Sequence, residues 1–354
     1  MLLIYGSTGY TGRLVVAEAI ARGLRPTLAG RSADAVSAQA ELLTLKWRCA
    51  AINDAAALDA ALEGATAVLH CAGPFAHTWR AMSDACIRNR VHYLDITGEI
   101  DVFEGLAARD AEARAAGIML LPGVGFDVVP SECLAAHLAR RVPDAVRLAL
   151  GFHASGGISR GTLTTVVENL GSSGAARVNG KIVAVPPAWR TRRIDFGDGK
   201  LRHATTIPWG DVSTAYHSTG IPDIEVYTSM RPALRRMMVA SRWIGPALRS
   251  GFLRRTLAAR VRRGPAGPDE EARARSKSML WGEAVAADGR RAEATIRCAS
   301  GYTLTAQTAV HIAAKVLTGA APAGFQTPSR AYGADLILEI PGATRTDVTP
   351  PMST

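Results

Sequence analysis

The chain has 354 residues, close to two domains at ~150 residues each. Hydrophobic residues make up 48% and charged residues 20%, which excludes a disordered chain, a collagen-like repeat and a disulfide miniprotein. Basic residues (41) outnumber acidic ones (31), and the whole excess lies in ten arginines between Arg231 and Arg263, where no acid occurs from Glu225 to Asp269.

Residues 2–5 form a short apolar run ending in glycine, and 12–22 have helical spacing. Strands are predicted at 26–29, 48–52, 66–71, 92–96 and 118–121, with helices at 35–45, 55–63, 78–90 and 102–116 between them. Strands alternating with helices imply βαβ units, so the fold class is α/β: an N-terminal Rossmann-type, doubly wound parallel sheet over 1–130.

The first strand runs into Gly6-Ser7-Thr8-Gly9-Tyr10-Thr11-Gly12, a G-x-x-G-x-x-G variant of the dinucleotide fingerprint. Glycine is needed there for the sharp turn, for close approach of backbone to a pyrophosphate, and for tight packing of helix on strand. The amides and dipole at the helix start then hold the phosphates. At the end of the second strand a ribose-binding acid is expected in an NAD site. The chain reads Gly30-Arg31-Ser32 instead, with no acid before Asp34, a pattern that suits the 2′-phosphate of NADP.

Together with these segments, Cys71-Ala72-Gly73-Pro74-Phe75, the 92–99 stretch His-Tyr-Leu-Asp-Ile-Thr-Gly-Glu, and Gly125-Phe126-Asp127-Val128-Val129-Pro130-Ser131-Glu132 resemble the saccharopine dehydrogenase-like oxidoreductases. So do Gly301-Tyr302-Thr303-Leu304-Thr305-Ala306 and the 324–328 segment, so the resemblance runs through nearly the whole chain. Enzymes that make or split saccharopine carry D-P-G where this chain has Gly-Phe-Asp at 125–127, which favours the "-like" branch. The bacterial part of that branch includes trans-acting enoyl reductases. The resemblance implies an NADP-dependent oxidoreductase whose substrate is an activated C=C, such as an enoyl thioester or a lipid-like molecule. Reduction of an imine formed from an amino acid and a carbonyl is a second reading. A non-catalytic NADP(H)-binding sensor or peripheral membrane protein is a third.

Ligands of doubly wound sheets bind outside the carboxyl ends of the strands. Ala72, Gly73, Pro74 and Phe75 therefore border the expected nicotinamide site, and Tyr93, Asp127 and Ser131 are the candidate catalytic residues, in a cleft expected between the domains. Ser131 equally suits an N-cap for a helix at 132–141. The eight histidines show no metal-ligand spacing, and no Y-x-x-x-K dyad, G-x-S-x-G elbow or Walker loop occurs. The five scattered cysteines contain no C-x-x-C pair, and no run of ~18 apolar residues or secretory leader is seen; a cytoplasmic protein, peripheral to the membrane at most, is expected.

Residues 131–325 are expected to form an α+β substrate and dimerisation domain, so a homodimer is anticipated, with 326–354 as a closing segment and tail. Strands are predicted at 145–154 and 224–229, a hairpin at 278–299 around Asp288-Gly289, helices at 161–170 and 303–317, and a loose tail from 343. The basic stretch 234–263 has two runs of helical spacing, separated at Gly245-Pro246. It fits an anionic membrane surface, an acidic partner such as an acyl-carrier protein, or a lid packed on its own domain. Nucleic acid is not expected, for want of aromatic interleaving or a reader motif.

Overall fold

The computed structural model describes residues 1–155, 157–168, 171–248, 256–257, 259–261 and 264–348. Contacts divide it into two units, Met1–Val129 with Gly301–Ala331, and Pro130–Ser300 with Tyr332–Thr354.

In the first unit strands and helices alternate as β1 (Leu2–Tyr5), α1 (Tyr10–Ala21), β2 (Thr27–Gly30), α2 (Ala33–Leu43), β3 (Trp47–Cys49), α3 (Ala55–Leu62), β4 (Ala67–His70), α4 (Trp79–Asn89), β5 (His92–Asp95), α5 (Ile100–Ala107), α6 (Asp110–Ala116) and β6 (Met119–Leu121). The strands pair in parallel in the order β6-β5-β4-β1-β2-β3, with Leu3 opposite both Thr27 and Val68. Every residue of β1, β2, β4 and β6 is buried, as a sheet covered on both faces requires. Ser32 and Asp54 cap α2 and α3 by accepting from the amides of Ala35 and Ala57.

The helix predicted at 102–116 is two helices, because Arg109 leaves helical geometry (φ −98°, ψ 11°). Its side chain bonds Ser83, Asp84 and Glu112. The chain returns after residue 300 as the helix Gly301–Leu317, and the strand Gly324–Phe325 then adds to β6 as a seventh strand, held by the Phe325 amide on Asp110 Oδ1 at 2.7 Å. The sequence reading grouped 301–325 with the second domain; in the folded chain Gly301–Ala331 packs in the first.

The second unit begins with α7 (Val129–Arg141) and holds β7 (Ala145–Ala154), α8 (Arg160–Glu168), β8 (Gly174–Val178), β9 (Lys181–Val185), β10 (Thr191–Asp195), β11 (Leu201–Thr206), α9 (Asp211–Thr219), β12 (Asp223–Ser229), α10 (Pro232–Leu248), β13 (Lys277–Ala286) and β14 (Arg291–Ala299). The central order is β10-β11-β12-β7-β13-β14, antiparallel except for β12 beside β7. α7 lies on this sheet, where a Cβ on Gly282 would meet Leu138 Cδ1 at 2.7 Å.

Three expectations need correction here. The tail is not loose over Thr344–Val348, which pairs antiparallel with β14 as an edge strand. α10 is not broken at Gly245-Pro246 but continues to Leu248. Proline there lies in the last turn, where it removes only one amide bond. The second half of the basic stretch, 249–263, lies mostly outside the described residues. Finally, α7 starts at Val129, so Ser131 lies inside its first turn and is not its cap.

Candidate functional site

The turn from β1 to α1 is shaped by glycine. Gly6 adopts a left-handed φ of +82°, and a Cβ there would lie 2.8 Å from Ala72 N. A Cβ on Gly12 would lie 2.2 Å from the Gly6 carbonyl oxygen, so α1 can start this close to the strand only with glycine at that position. Gly9, with extended backbone, precedes the helix and supplies no side-chain cap to its positive end. Ser7 is fully buried in this turn and its Oγ has no hydrogen-bond partner. The same turn holds Gly9 N to Gly6 O at 3.1 Å and accepts Gln39 Nε2 on Ser7 O.

At the end of β2, Arg31 is exposed, and its guanidinium makes no hydrogen bond or ion pair among the described residues. Its charge is felt by Tyr5, whose hydroxyl burial nevertheless pushes up to about 12. No carboxylate follows before Asp34, which sits exposed in the first turn of α2.

The segment after β4 lies against the glycine turn through Ala72. Thr78 Oγ1 donates to Ala72 O at 2.9 Å, so His70 Nε2, also 2.9 Å from that hydroxyl, is the donor of the pair. His70 is fully buried against the edge of Phe75, and burial pushes its pKa down to about 3, so the ring is neutral. Glu99, beyond β5, accepts the amides of Phe75 and Ala76 at 2.9 and 2.8 Å and so fixes this loop.

Asp95, at the end of β5, is fully buried and accepts three hydrogen bonds: the Tyr93 hydroxyl at 2.6 Å, and the amides of Thr97 and Gly123, both at 2.9 Å. Burial raises its carboxyl to about 6 against those donors. The segment after β6 is tied down further by the helix Gly301–Leu317, since Thr305 Oγ1 accepts the Phe126 amide and Thr308 Oγ1 donates to Val124 O. Asp127 follows, partly buried, with its Oδ2 2.9 Å from where a Gly98 Cβ would be. Burial, and then the charge of Glu99, raise Asp127 to about 6.

A glycine cradle that a Cβ on Gly6 or Gly12 would fill, a helix start without a side-chain cap, a buried unpartnered hydroxyl and an arginine unpaired among the described residues at the second strand end together fit a phosphorylated dinucleotide. Residues 2–121 match the family model described as the saccharopine dehydrogenase NADP binding domain. This segment is similar to that domain.

The chain is 27% identical over 151 residues to a human protein named saccharopine dehydrogenase-like oxidoreductase, covering 37% of this chain and 35% of the relative. It is 31% identical over 150 residues to a Mycobacterium leprae protein named trans-acting enoyl reductase, covering 40% of this chain and 36% of the relative. The matches thus span about a third of each relative's length. Over 98% of this chain and 99% of the other, the fold is that of apo saccharopine dehydrogenase (L-Glu forming) from Saccharomyces cerevisiae, with a TM-score of 0.68 at 14% identity. The names of these relatives are those of oxidoreductases, and the resemblance read from the motifs is supported.

Within the first unit, the 6–12 turn, Gly30-Arg31-Ser32 and Ala72–Phe75 all lie at carboxyl ends of the parallel strands. Two of the catalytic candidates lie in buried, hydrogen-bonded positions. Tyr93 is fully buried and its hydroxyl is committed to Asp95, so it serves as part of a clamp. Ser131 is 4% exposed and donates to Asp211 Oδ2 at 2.7 Å within the second unit. Asp127 keeps its place as a candidate acid. Glu99 is expected from its place after the fifth strand, whereas the roles of Thr305 and Thr308 carry no local signal, because their partners lie 179 and 184 residues away.

Proposed function

We propose that the chain is an NADP-dependent reductase of an activated C=C bond, such as an enoyl thioester. Arg31 is the observation that carries the cofactor preference: an exposed guanidinium with no partner among the described residues, at the strand end where a carboxylate would select NAD. The start of α1 and the Ser7 hydroxyl would hold the diphosphate, Arg31 and Ser32 the 2′-phosphate, and Ala72–Phe75 would border the nicotinamide. NADPH, when bound, supplies the hydride. The C=C preference is drawn from the trans-acting enoyl reductase among the relatives.

Asp127 would supply the proton. With its carboxyl near 6, it is protonated at mildly acidic pH and loses the proton as pH rises through that value. Turnover should therefore fall as pH climbs through 6. The test is NADPH oxidation at 340 nm against enoyl-CoAs and against amine-plus-ketoacid pairs, with wild type and Asp127→Asn. Turnover on enoyl thioesters is expected, with a loss of about a hundredfold in the variant, disappearance of the limb near pH 6 and unchanged NADPH affinity. Turnover on the amine pairs alone would replace this reading with imine reduction. Tight NADPH binding without any turnover would replace it with a sensor.

A further inference from the structure

The strongest unexplained surface is α10. Arg235 and Arg242, seven residues apart, share one side of the helix and are tied to their own unit: Arg235 Nε to Thr191 Oγ1 at 3.2 Å, and Arg242 to the carbonyls of Pro187 and Ala188, both at 2.8 Å. That fixes which side faces the protein. Arg236, Ala240 and Trp243 recur at helical spacing on the opposite side, with Met237 beside them. Trp243 is 84% exposed, Met237 68% and Leu234 50%. Arg231 and Arg236 are exposed and have no ion pair among the described residues.

We infer that this face of α10 docks on an anionic lipid surface. The occupant follows from two features read together. The sequence around the helix holds ten arginines and no acid from residue 226 to 268, while charges elsewhere balance, so the field is cationic and local. Met237 and Trp243 flank Ala240 on the exposed side of the helix, and tryptophan is a residue suited to the level of lipid headgroups. A shaped acidic protein would be met by a groove or by a surface of alternating charge. A fluid anionic surface accepts a convex helix, with its side chains entering and its arginines at the phosphates. The inference is independent of the reaction proposed above.

The test uses the full chain with vesicles of phosphatidylcholine alone and with roughly a third phosphatidylglycerol, read by flotation. The protein should float with the anionic vesicles only, and the binding should be suppressed by high salt. Met237→Ala with Trp243→Ala, and separately Arg231→Gln with Arg236→Gln, should each lower partitioning about tenfold or more. These side chains are exposed, so the thermal melt should be unchanged and separates lost docking from lost folding. No flotation with anionic vesicles would overturn the inference, as would flotation that neither double variant weakens. Binding to an acidic acyl-carrier protein without vesicle binding would assign the face to a protein instead.

Discussion

Gly12→Ala is expected to abolish measurable dinucleotide binding and to lower the Tm by about 5 °C or more. The added methyl would be placed 2.2 Å from the Gly6 carbonyl oxygen and 3.0 Å from the Gly6 carbonyl carbon and Ser7 Cα. All three are backbone atoms, so no rotamer relieves the clash. Either α1 moves off the sheet, where Val15, Val16 and Ala19 are buried, or the turn that presents the amides opens. Overpacking of this kind costs about 1–3 kcal/mol, and more where the neighbour cannot yield. Gly9→Ala is the control: its Cβ would lie 3.3 Å from the same oxygen, a contact that a small shift relieves. Equal behaviour of the two variants in a melt and an NADPH titration would contradict this account of the turn.

Asp95→Ala carries the second large effect. It leaves the Tyr93 hydroxyl and the amides of Thr97 and Gly123 without an acceptor, in a place no water reaches from bulk. Each abandoned buried donor costs about 1–3 kcal/mol, so a loss of about 3–5 kcal/mol is expected, read as a lower urea midpoint. Asp95→Asn should cost much less. Its Oδ1 still accepts both amides, and its Nδ2 can donate to the Tyr93 oxygen. The two variants also differ in pH dependence. Because the folded carboxyl is raised from 3.8 to about 6, the contribution of Asp95 to stability is full below about 4 and declines as pH rises through 6. The asparagine variant should lose that part of the slope.

The contrast between clamp and catalytic site shows what the sequence could and could not disclose. Strands β1, β4 and β6 were legible because parallel strands covered on both faces read as unbroken apolar runs. The glycine turn was legible because its constraint is local, within seven residues. Tyr93 and Asp95 could be placed on one strand face by their spacing of two. Whether that face met a ligand or only its own hydroxyl depended on burial, which spacing does not carry. Glu99 on the Phe75 and Ala76 amides, and Thr308 on Val124, arise from tertiary proximity with no local pattern. The second unit was read less well for a different reason. β9 alternates weakly and Thr344–Val348 is a largely polar edge strand, so each takes its conformation from the partner strand and not from its own apolar residues.

The central claim is an NADP site headed by Arg31, and the measurement that tests it most directly needs no substrate. NADPH and NADH are titrated into wild type and Arg31→Glu. The variant should weaken NADPH binding about a hundredfold or more, through loss of the charge-assisted bonds and gain of repulsion, while NADH affinity changes by about threefold at most. An equal loss for both nucleotides, or none for NADPH, would contradict the assignment of Arg31 to the 2′-phosphate.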